Sequence, residues 1–325
     1  MVLLNKIEIN PPLINSSCAW SSDLVDLTAL YESPYTGAIT TRTATFNGYG
    51  EDKAINTVAF AVDTDTTLNS YGYSPHPLAA YLGWVETILT GSKHSITKPI
   101  IISITASTVE TIKAMIDAIQ ALRFKLGDNT SELAKIAIEL NTSCPNIPNS
   151  PPSGYTFSYL LPLLQVLRDA HSEDPTLTVG LKLPPYTYKG QFNDVISGLG
   201  LLARNKISAF AFITCTNTLG NSLLFAEQTG ANTQQTFAVP TALGGIAGDA
   251  IHPLALGNVY TFKELLSSQE AMDAGIADTK IIGVGGVTSK AAAERMKKAG
   301  ADVIGCATLL GKEGVHAFEI LGKEL

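Results

Sequence analysis

A thiol and several amides are crowded into the stretch ELNTSCPNIPN (residues 139–149), and such side chains can do chemistry. A cysteine is most often a small buried hydrophobe, and this is our interpretation of Cys18, Cys215 and Cys306. Cys144 differs, because it follows an apolar run and lies among Asn and Pro residues that favour an exposed loop. A thiol on a loop above a pocket can act as a nucleophile or as a general base. The residues alone leave both roles open.

Four asparagines follow or close predicted strands: Asn69, Asn141, Asn146 and Asn217. A single asparagine in a turn is usually only a turn residue. An amide donates and accepts hydrogen bonds at once. Several amides that converge at corresponding strand ends therefore suit a flat ligand with alternating N–H and C=O groups, such as a pyrimidine.

A lysine, Lys182, interrupts the apolar run TVGLKLP (178–184). Burying a lysine is costly unless its charge is paired. A ligand that carries negative charge would offset that cost. The alternative is a lysine at the end of its strand that reaches solvent.

Glycines mark three further strand ends, in LGGIAG (243–248), GVGG (283–286) and GCAT (305–308). Glycines let backbone N–H groups approach an anion, and the N-terminus of a following helix adds partial positive charge. A lone pair of glycines more often makes an ordinary tight turn. Three such motifs, two of them on successive strands late in the chain, favour a phosphate site.

The elements that must position these groups are short apolar runs that alternate with helical patterns. Runs buried on both faces and separated by helices predict a parallel sheet. About eight such units in 325 residues predict a (β/α)8 TIM barrel with elaborated loops at its C-terminal face, in one domain covering residues 1–325. The predicted strands are 37–43, 99–105, 136–141, 178–184, 209–217, 280–286 and 301–310, and the stretches 44–77 and 218–257 are predicted to be long loops. An open doubly wound sheet is disfavoured, because no early G-x-G-x-x-G opens a helix.

Composition excludes several classes of protein. The net charge of −7 and the absence of a Lys/Arg cluster disfavour nucleic-acid binding. No apolar stretch approaches the ~18 residues needed to cross a bilayer, and the N-terminus lacks the apolar run of a signal peptide. Four widely spaced cysteines form neither a disulfide framework nor a zinc motif, so no metal site is predicted and a reduced cytoplasmic location fits.

Five motifs stand out together: ELNTSCPNIPN, VGLKLPPY, LGGIAG, IIGVGG and LLGKEG. Together they resemble dihydroorotate dehydrogenase, in particular the soluble class 1A enzymes of fungi and some bacteria. The resemblance covers nearly the whole chain, and the cysteine loop followed by KLPPY is its most specific part. It implies a (β/α)8 barrel that binds one FMN at the C-terminal ends of its strands, and a homodimer.

The resemblance also implies roles for individual residues. Gly285, Gly286, Ala307 and Thr308 would hold the FMN phosphate, and Lys182 would face the flavin ring. The full set implied for FMN is Ser16, Ser17, Thr41, Asn141, Lys182, Thr216, Gly244, Gly245, Gly285, Gly286, Ala307 and Thr308. The set implied for the substrate is Asn69, Ser70, Tyr71, Gly72, Tyr73, Asn141, Asn146, Asn217 and Thr218, with the backbone amides of residues 70–73 on its carboxylate.

The implied chemistry is the oxidation of dihydroorotate to orotate in pyrimidine biosynthesis. Cys144 would act as the general base at C5 while a hydride passes from C6 to N5 of FMN, and fumarate would reoxidise the flavin at the same site. The sequence departs from the family in three places near the ligand. Thr41, followed by Arg42, stands where the family has a lysine, Tyr71 replaces a methionine, and Cys18 replaces a glycine.

These departures leave two alternatives open. One is an FMN oxidoreductase paralogue that acts on another small cyclic or enone substrate. The other is a catalytically inactive barrel kept for binding or assembly, which the intact Cys144, Lys182 and four asparagines argue against.

Overall fold

Two short apolar strands, β1 (Val2–Leu4) and β2 (Ile7–Ile9), open the chain as an antiparallel pair. Leu4, Ile7 and Ile9 are fully buried and share a hydrophobic cluster with residues that fill the interior of the main sheet. The pair therefore closes one end of the fold. The computed structural model describes residues 1–91, 97–144, 146–147, 153–230 and 235–323.

Eight parallel strands form the main sheet. In chain order they are β3 (Leu13–Asn15), β4 (Ile39–Thr40), β7 (Ile100–Ile104), β8 (Ile136–Asn141), β9 (Thr178–Leu183), β10 (Phe210–Cys215), β13 (Lys280–Val284) and β14 (Val303–Cys306). Their order in the sheet, β3–β14–β13–β10–β9–β8–β7–β4, brings the first strand back towards the second. A parallel bridge between Ile14 and Ala38 joins these two edges, so the sheet curls into a barrel. The predicted fold class is confirmed, and the seven predicted strands all form.

Helices lie between the strands and cover the outside of the barrel. They are α1 (Leu24–Glu32), α2 (Leu78–Thr90), α3 (Val109–Lys125), α4 (Leu161–Glu173), α5 (Lys189–Leu202), α6 (His252–Leu266), α7 (Gln269–Ala274), α8 (Lys290–Ala299), α9 (Thr308–Glu313) and α10 (His316–Gly322). Side-chain caps fix several starts, as where Thr108 accepts from the N–H of Thr111 and Ser289 from the N–H of Ala292. The larger hydrophobic cluster lies between these helices and the barrel.

The strand residues that point into the barrel form layers, because side chains alternate along a strand. Apolar residues such as Ala137 and Phe212 fill the layer near the β1–β2 end. The next layer up is polar, since the buried carboxylate of Glu139 accepts hydrogen bonds from the hydroxyls of Ser103 and Thr214. The next layer, formed by residues two positions further along the strands such as Asn141, lies at the C-terminal end of the barrel.

The two stretches predicted to be loops contain a second sheet, so that prediction was wrong in part. Strands β5 (Val58–Phe60) and β6 (Thr66–Asn69) come from the first stretch, and β11 (Leu219–Leu223) and β12 (Leu243–Gly248) from the second. They pair antiparallel in the order β11–β12–β6–β5. The two stretches hold each other through backbone hydrogen bonds that no local pattern reveals.

Strand β3 was not among the predicted strands, because three residues are too short to show an alternating or continuous apolar pattern. The single-domain organisation of residues 1–325 stays a prediction. Within the described ranges, no helix is both long and apolar enough to cross a membrane.

Candidate active site

A cavity of about 1030 Å³, its open mouth included, lies at the carboxyl ends of the barrel strands. Strand ends form its floor and the second sheet forms one wall. Its position at the C-terminal face of a barrel is where such enzymes carry their active sites.

Glycine main chain forms one end of the cavity. Gly285 and Gly286 have φ of +129° and +64°, which favour glycine. A Cβ on Gly286 would lie 2.4 Å from Cβ of His252 and 2.8 Å from the carbonyl oxygen of Gly248. The backbone here is therefore packed as closely as glycine allows, and a ligand can lie directly against it.

A histidine holds this glycine turn in place. The Nε–H of Arg295 donates to Nε2 of His252 at 3.1 Å, so the proton of the neutral ring lies on Nδ1. Nδ1 in turn donates to the carbonyl oxygen of Gly285 at 2.8 Å. The orientation of the Gly285–Gly286 peptide is thus set by two side chains outside the cavity.

Lys182 forms part of the cavity floor and is 5% exposed. Its Nζ donates to Oγ of Ser16 at 3.1 Å and to the carbonyl oxygen of Ser17 at 3.0 Å. Burial lowers the pKa of Lys182, and the nearby Glu139 carboxylate partly offsets that effect. The lysine is therefore a buried cation above a buried acid, with its head at the surface that a ligand would cover.

The four predicted asparagines converge in two pairs. Nδ2 of Asn146 donates to Oδ1 of Asn69 at 3.1 Å. Nδ2 of Asn217 donates to Oδ1 of Asn141, also at 3.1 Å. All four line the cavity, so its second end is rich in amide donors and acceptors.

The thiol of Cys144 lines the cavity among these amides. Its Sγ lies 3.9 Å from the carbonyl oxygen of Tyr71. Burial raises the pKa of the Cys144 thiol, while the backbone N–H of Asn146 and the charges of Lys182 and Arg42 partly offset the rise. The thiol is protonated at neutral pH in this geometry and lies within reach of the ligand space.

At the same end of the cavity, the backbone of residues 71–73 has its carbonyl oxygens bonded and, within the described ranges, its N–H groups unbonded. All three of its carbonyl oxygens are occupied: Nδ2 of Asn146 donates to Tyr71 at 2.8 Å, and Nη2 of Arg42 donates to Gly72 and Tyr73 at 3.3 Å each. The N–H groups of these three residues donate to no acceptor in the part of the chain that the structure describes. Backbone N–H groups without an acceptor can donate to a ligand.

Most of the predicted site residues lie on this one cavity. They are Ser16, Ser17, Asn69, Tyr71, Gly72, Tyr73, Asn141, Cys144, Asn146, Lys182, Thr216, Asn217, Thr218, Gly285, Gly286, Ala307 and Thr308. The roles assigned to them stay predictions. Pro145 and residues 148–152 of the asparagine-rich loop lie outside the described residues.

Four predicted residues are not brought to the cavity. The hydroxyl of Thr41 is buried beneath it and accepts from the N–H of Ser103. Ser70 follows β6, and its hydroxyl donates to the carbonyl oxygen of Ile55. Gly244 and Gly245 lie in β12 and pair with β6 around Asn69, so their contacts are with protein backbone.

Other residues take these places. Arg42 lines the cavity where Thr41 was expected, and Ala247 and Gly248 line it where Gly244 and Gly245 were expected. Gly248 is the last glycine of the motif LGGIAG, so the sequence did mark it as a glycine position. Its φ is +75°. Trp20 and Thr67 also line the cavity, and neither residue carried a recognisable signal in the sequence.

The fold and this cavity define a barrel enzyme whose site can hold an anion at one end and a flat, amide-recognised ring at the other. The family model described as dihydroorotate dehydrogenase matches residues 4–325. The chain therefore belongs to the dihydroorotate dehydrogenase family and is an oxidoreductase.

Curated relatives carry the same family name. A putative dihydroorotate dehydrogenase A (fumarate) of Streptococcus equi subsp. equi is 29% identical over 261 residues, which are 80% of this chain and 73% of the relative. A dihydroorotate dehydrogenase (fumarate) of Trypanosoma brucei brucei is 32% identical over 259 residues, 80% of this chain and 72% of the relative. A putative dihydroorotate dehydrogenase A (fumarate) of Streptococcus agalactiae is 34% identical over 188 residues, 58% and 53% of the two chains.

Proposed function

We propose that this chain oxidises dihydroorotate to orotate with FMN as its cofactor, with Cys144 as the general base. The observation that carries the proposal is the division of one cavity into two ends. Close-packed glycines form one end, and a thiol, four amides and three free N–H groups form the other. Family membership supports a flavin-dependent reaction.

The residues present fit a flavin mononucleotide. The hydroxyl of Thr216 is buried at the cavity without a hydrogen-bond partner among the described residues, as a polar atom would be that bonds a ligand. Gly285 and Gly286, with Ala307 and Thr308 at the next strand end, would hold the phosphate. Ser16, Ser17 and Lys182 would lie against the ring, where the ammonium group stabilises negative charge.

When bound, FMN would supply the acceptor for a hydride from C6 of the substrate. The protein supplies the other half of the reaction, which is loss of a proton from C5. Cys144 must be a thiolate to take that proton at Sγ, and the positive charges of Lys182 and Arg42 favour the thiolate. Loss of one proton and one hydride converts dihydroorotate into orotate.

The side chains around the thiol orient the substrate. Asn69, Asn141, Asn146 and Asn217 would bond the ring N–H and C=O groups. The free N–H groups of residues 71–73 would bind the carboxylate. Binding a ring over Lys182 and Cys144 also excludes water from the reacting atoms, which strengthens each electrostatic contact.

The acceptor that completes the cycle is proposed to be fumarate, because relatives at 29% and 32% identity carry that word in their names. A homodimeric assembly and a cytoplasmic location stay predictions from the family resemblance.

A second candidate is a flavin oxidoreductase that acts on another small cyclic substrate. The observation in its favour is at the carboxylate end, where Arg42 already forms an ion pair with Glu51 and stacks over the ring of Tyr71 at 5.3 Å. A cation occupied in this way attracts a substrate carboxylate less strongly than a free lysine does.

Anaerobic titration tests both candidates. The purified protein should be yellow, and dihydroorotate should bleach its flavin absorbance in the absence of oxygen. Bleaching by dihydrouracil but not by dihydroorotate would favour the second candidate. Colourless protein that takes up no added FMN would overturn both and leave an inactive barrel.

A further inference from the structure

The guanidinium group of Arg42 is bound on several sides by the protein. Nη2 pairs with Oε2 of Glu51 and donates to the carbonyl oxygens of Gly72 and Tyr73, and Nη1 donates to Oγ of Ser22 at 3.4 Å. The side chains of the pair are 7% and 18% exposed, so water screens it weakly. This is a partly buried ion pair that also fixes main chain.

The Arg42–Glu51 pair contributes to a cavity that has few charged side chains. Arg42 and Lys182 are the only formally charged side chains among the described residues that line the cavity. Each has an acid behind it, since Glu139 lies below Lys182 and Glu51 pairs with Arg42. The cavity therefore presents two cations whose fields are both reduced by carboxylates outside its lining.

Arg42 is the cation at the carboxylate end, because it holds the carbonyl oxygens of Gly72 and Tyr73, in the segment proposed to bind the substrate carboxylate. Glu51 then acts on that end in two ways. It orients the guanidinium group, and it cancels part of its charge. The first effect favours binding of an anionic ligand and the second opposes it, while a neutral ligand is little affected by either.

We propose that Glu51 is a specificity-determining residue, which sets the preference between carboxylate-bearing and uncharged cyclic amides by neutralising Arg42 beside residues 71–73. The inference rests on the proposed function and deepens it by naming the residue that sets substrate charge. The sign of the effect separates its two parts: losing the orienting contact would weaken binding of the carboxylate-bearing ligand, whereas losing the neutralising charge would strengthen it.

Glu51→Gln separates the two effects, because a Gln side chain still accepts a hydrogen bond from Arg42 and lacks the charge. Asp52→Asn is the matched control, since it removes the same charge one residue away, where the carboxylate of Asp52 accepts from the backbone N–H of Ala54. Orotate and uracil are the probes, because they share one ring and differ by the carboxylate. Their dissociation constants are measured on flavin-loaded protein from the shift in flavin absorbance.

We expect Glu51→Gln to tighten orotate binding about tenfold, the effect of removing one nearby negative charge in a partly buried site. Uracil binding should change less than about twofold, and Asp52→Asn should change neither constant. Weaker orotate binding, equal changes for orotate and uracil, or no change for either would overturn the proposal. Thermal melting of each variant shows that the comparison is made on folded protein.

The failure of this inference is distinguishable from failure of the proposed function. If dihydroorotate does not bleach the wild-type flavin, the proposed reaction fails, yet the orotate-to-uracil ratio still measures the effect of Glu51. If wild type is bleached and Glu51→Gln behaves as Asp52→Asn does, the reaction stands and the role of Glu51 is rejected. If orotate binds neither the wild type nor any variant, both the proposed reaction and the role of Glu51 are rejected.

Discussion

The two ends of the cavity are built in different ways. The glycine end consists of main chain whose position is fixed by close packing, as at Gly286, and by a hydrogen bond from His252. The thiol end consists of side chains from separate elements, among them Asn69, Cys144 and Asn217. One end depends on backbone shape and the other on the identity of a few side chains.

The difference shows where a member of this family can change. An anion at the glycine end would be bound by backbone N–H groups, which every sequence carries, so this end would need only glycines in the right places. At the thiol end a single substitution alters charge or hydrogen bonding directly. Two of the three departures from the family pattern named above, at residues 41–42 and at Tyr71, lie at this second end. We therefore expect substitutions at the two ends to separate cofactor binding from chemistry.

Cys144→Ala is expected to separate chemistry from cofactor binding most strongly. Loss of a general base lowers a rate by about 10²–10⁴-fold, so flavin reduction by dihydroorotate, followed anaerobically by stopped flow, should slow by that factor. FMN content should stay at the wild-type level, because the thiol is at the other end. Unchanged reduction would reject Cys144 as the base.

Gly286→Ala is expected to have the converse effect, which is to weaken cofactor binding. A methyl group there would overlap His252 and would force a side chain into φ of +64°. The combined strain should weaken FMN binding by about 100-fold, measured by quenching of flavin fluorescence. Gly257→Ala is the control, since nothing lies within 4 Å of a Cβ built there. If Gly286→Ala binds FMN as wild type does, the glycine end does not hold the phosphate.

The pH dependence of flavin reduction probes the thiol end. Burial raises the pKa of Cys144, so the protonated, inactive thiol predominates at neutral pH. The reduction rate should rise about tenfold per pH unit between pH ~7 and ~8.5, because the thiolate fraction grows in that proportion below the pKa. Cys144→Ser should lack this limb, since a hydroxyl does not titrate there. A plateau reached well below pH ~8.5 would mean a lowered pKa and a different environment for the thiol.

The smallest effect is expected for His252→Ala, which removes one hydrogen bond to the glycine turn. A hydrogen bond of this kind contributes about 0.5–1.5 kcal/mol, so FMN binding should weaken about three- to tenfold. Riboflavin, which lacks the phosphate, should bind the variant and the wild type equally. His252→Asn should restore most of the affinity, because its amide can donate to the same carbonyl. Equal weakening for riboflavin and FMN would show that His252 does not act through the phosphate.

Much of the site was predictable because the carboxyl ends of parallel strands meet on one face of a barrel. Polar residues that close or follow strands, such as Asn141, Lys182 and Asn217, could therefore be grouped from sequence alone. Where the strand pattern was weak, a neighbouring residue lines the cavity in place of the predicted one. Strand β4 has only two residues, so the alternation could not decide whether Thr41 or Arg42 faced the ligand.

The amino-acid pattern was enough to predict the barrel and most of the cavity-lining residues, because alternating runs, turn residues and glycines are local signals that act within a few positions. The tertiary structure alone decided that β6 pairs with β12, which places Gly244 and Gly245 against Asn69 and brings Gly248 to the cavity. It alone decided that Glu51 meets Arg42. Both pairings are contacts between separate chain segments, which local patterns do not encode. The contact between Glu51 and Arg42 also sets the charge at the thiol end of the cavity.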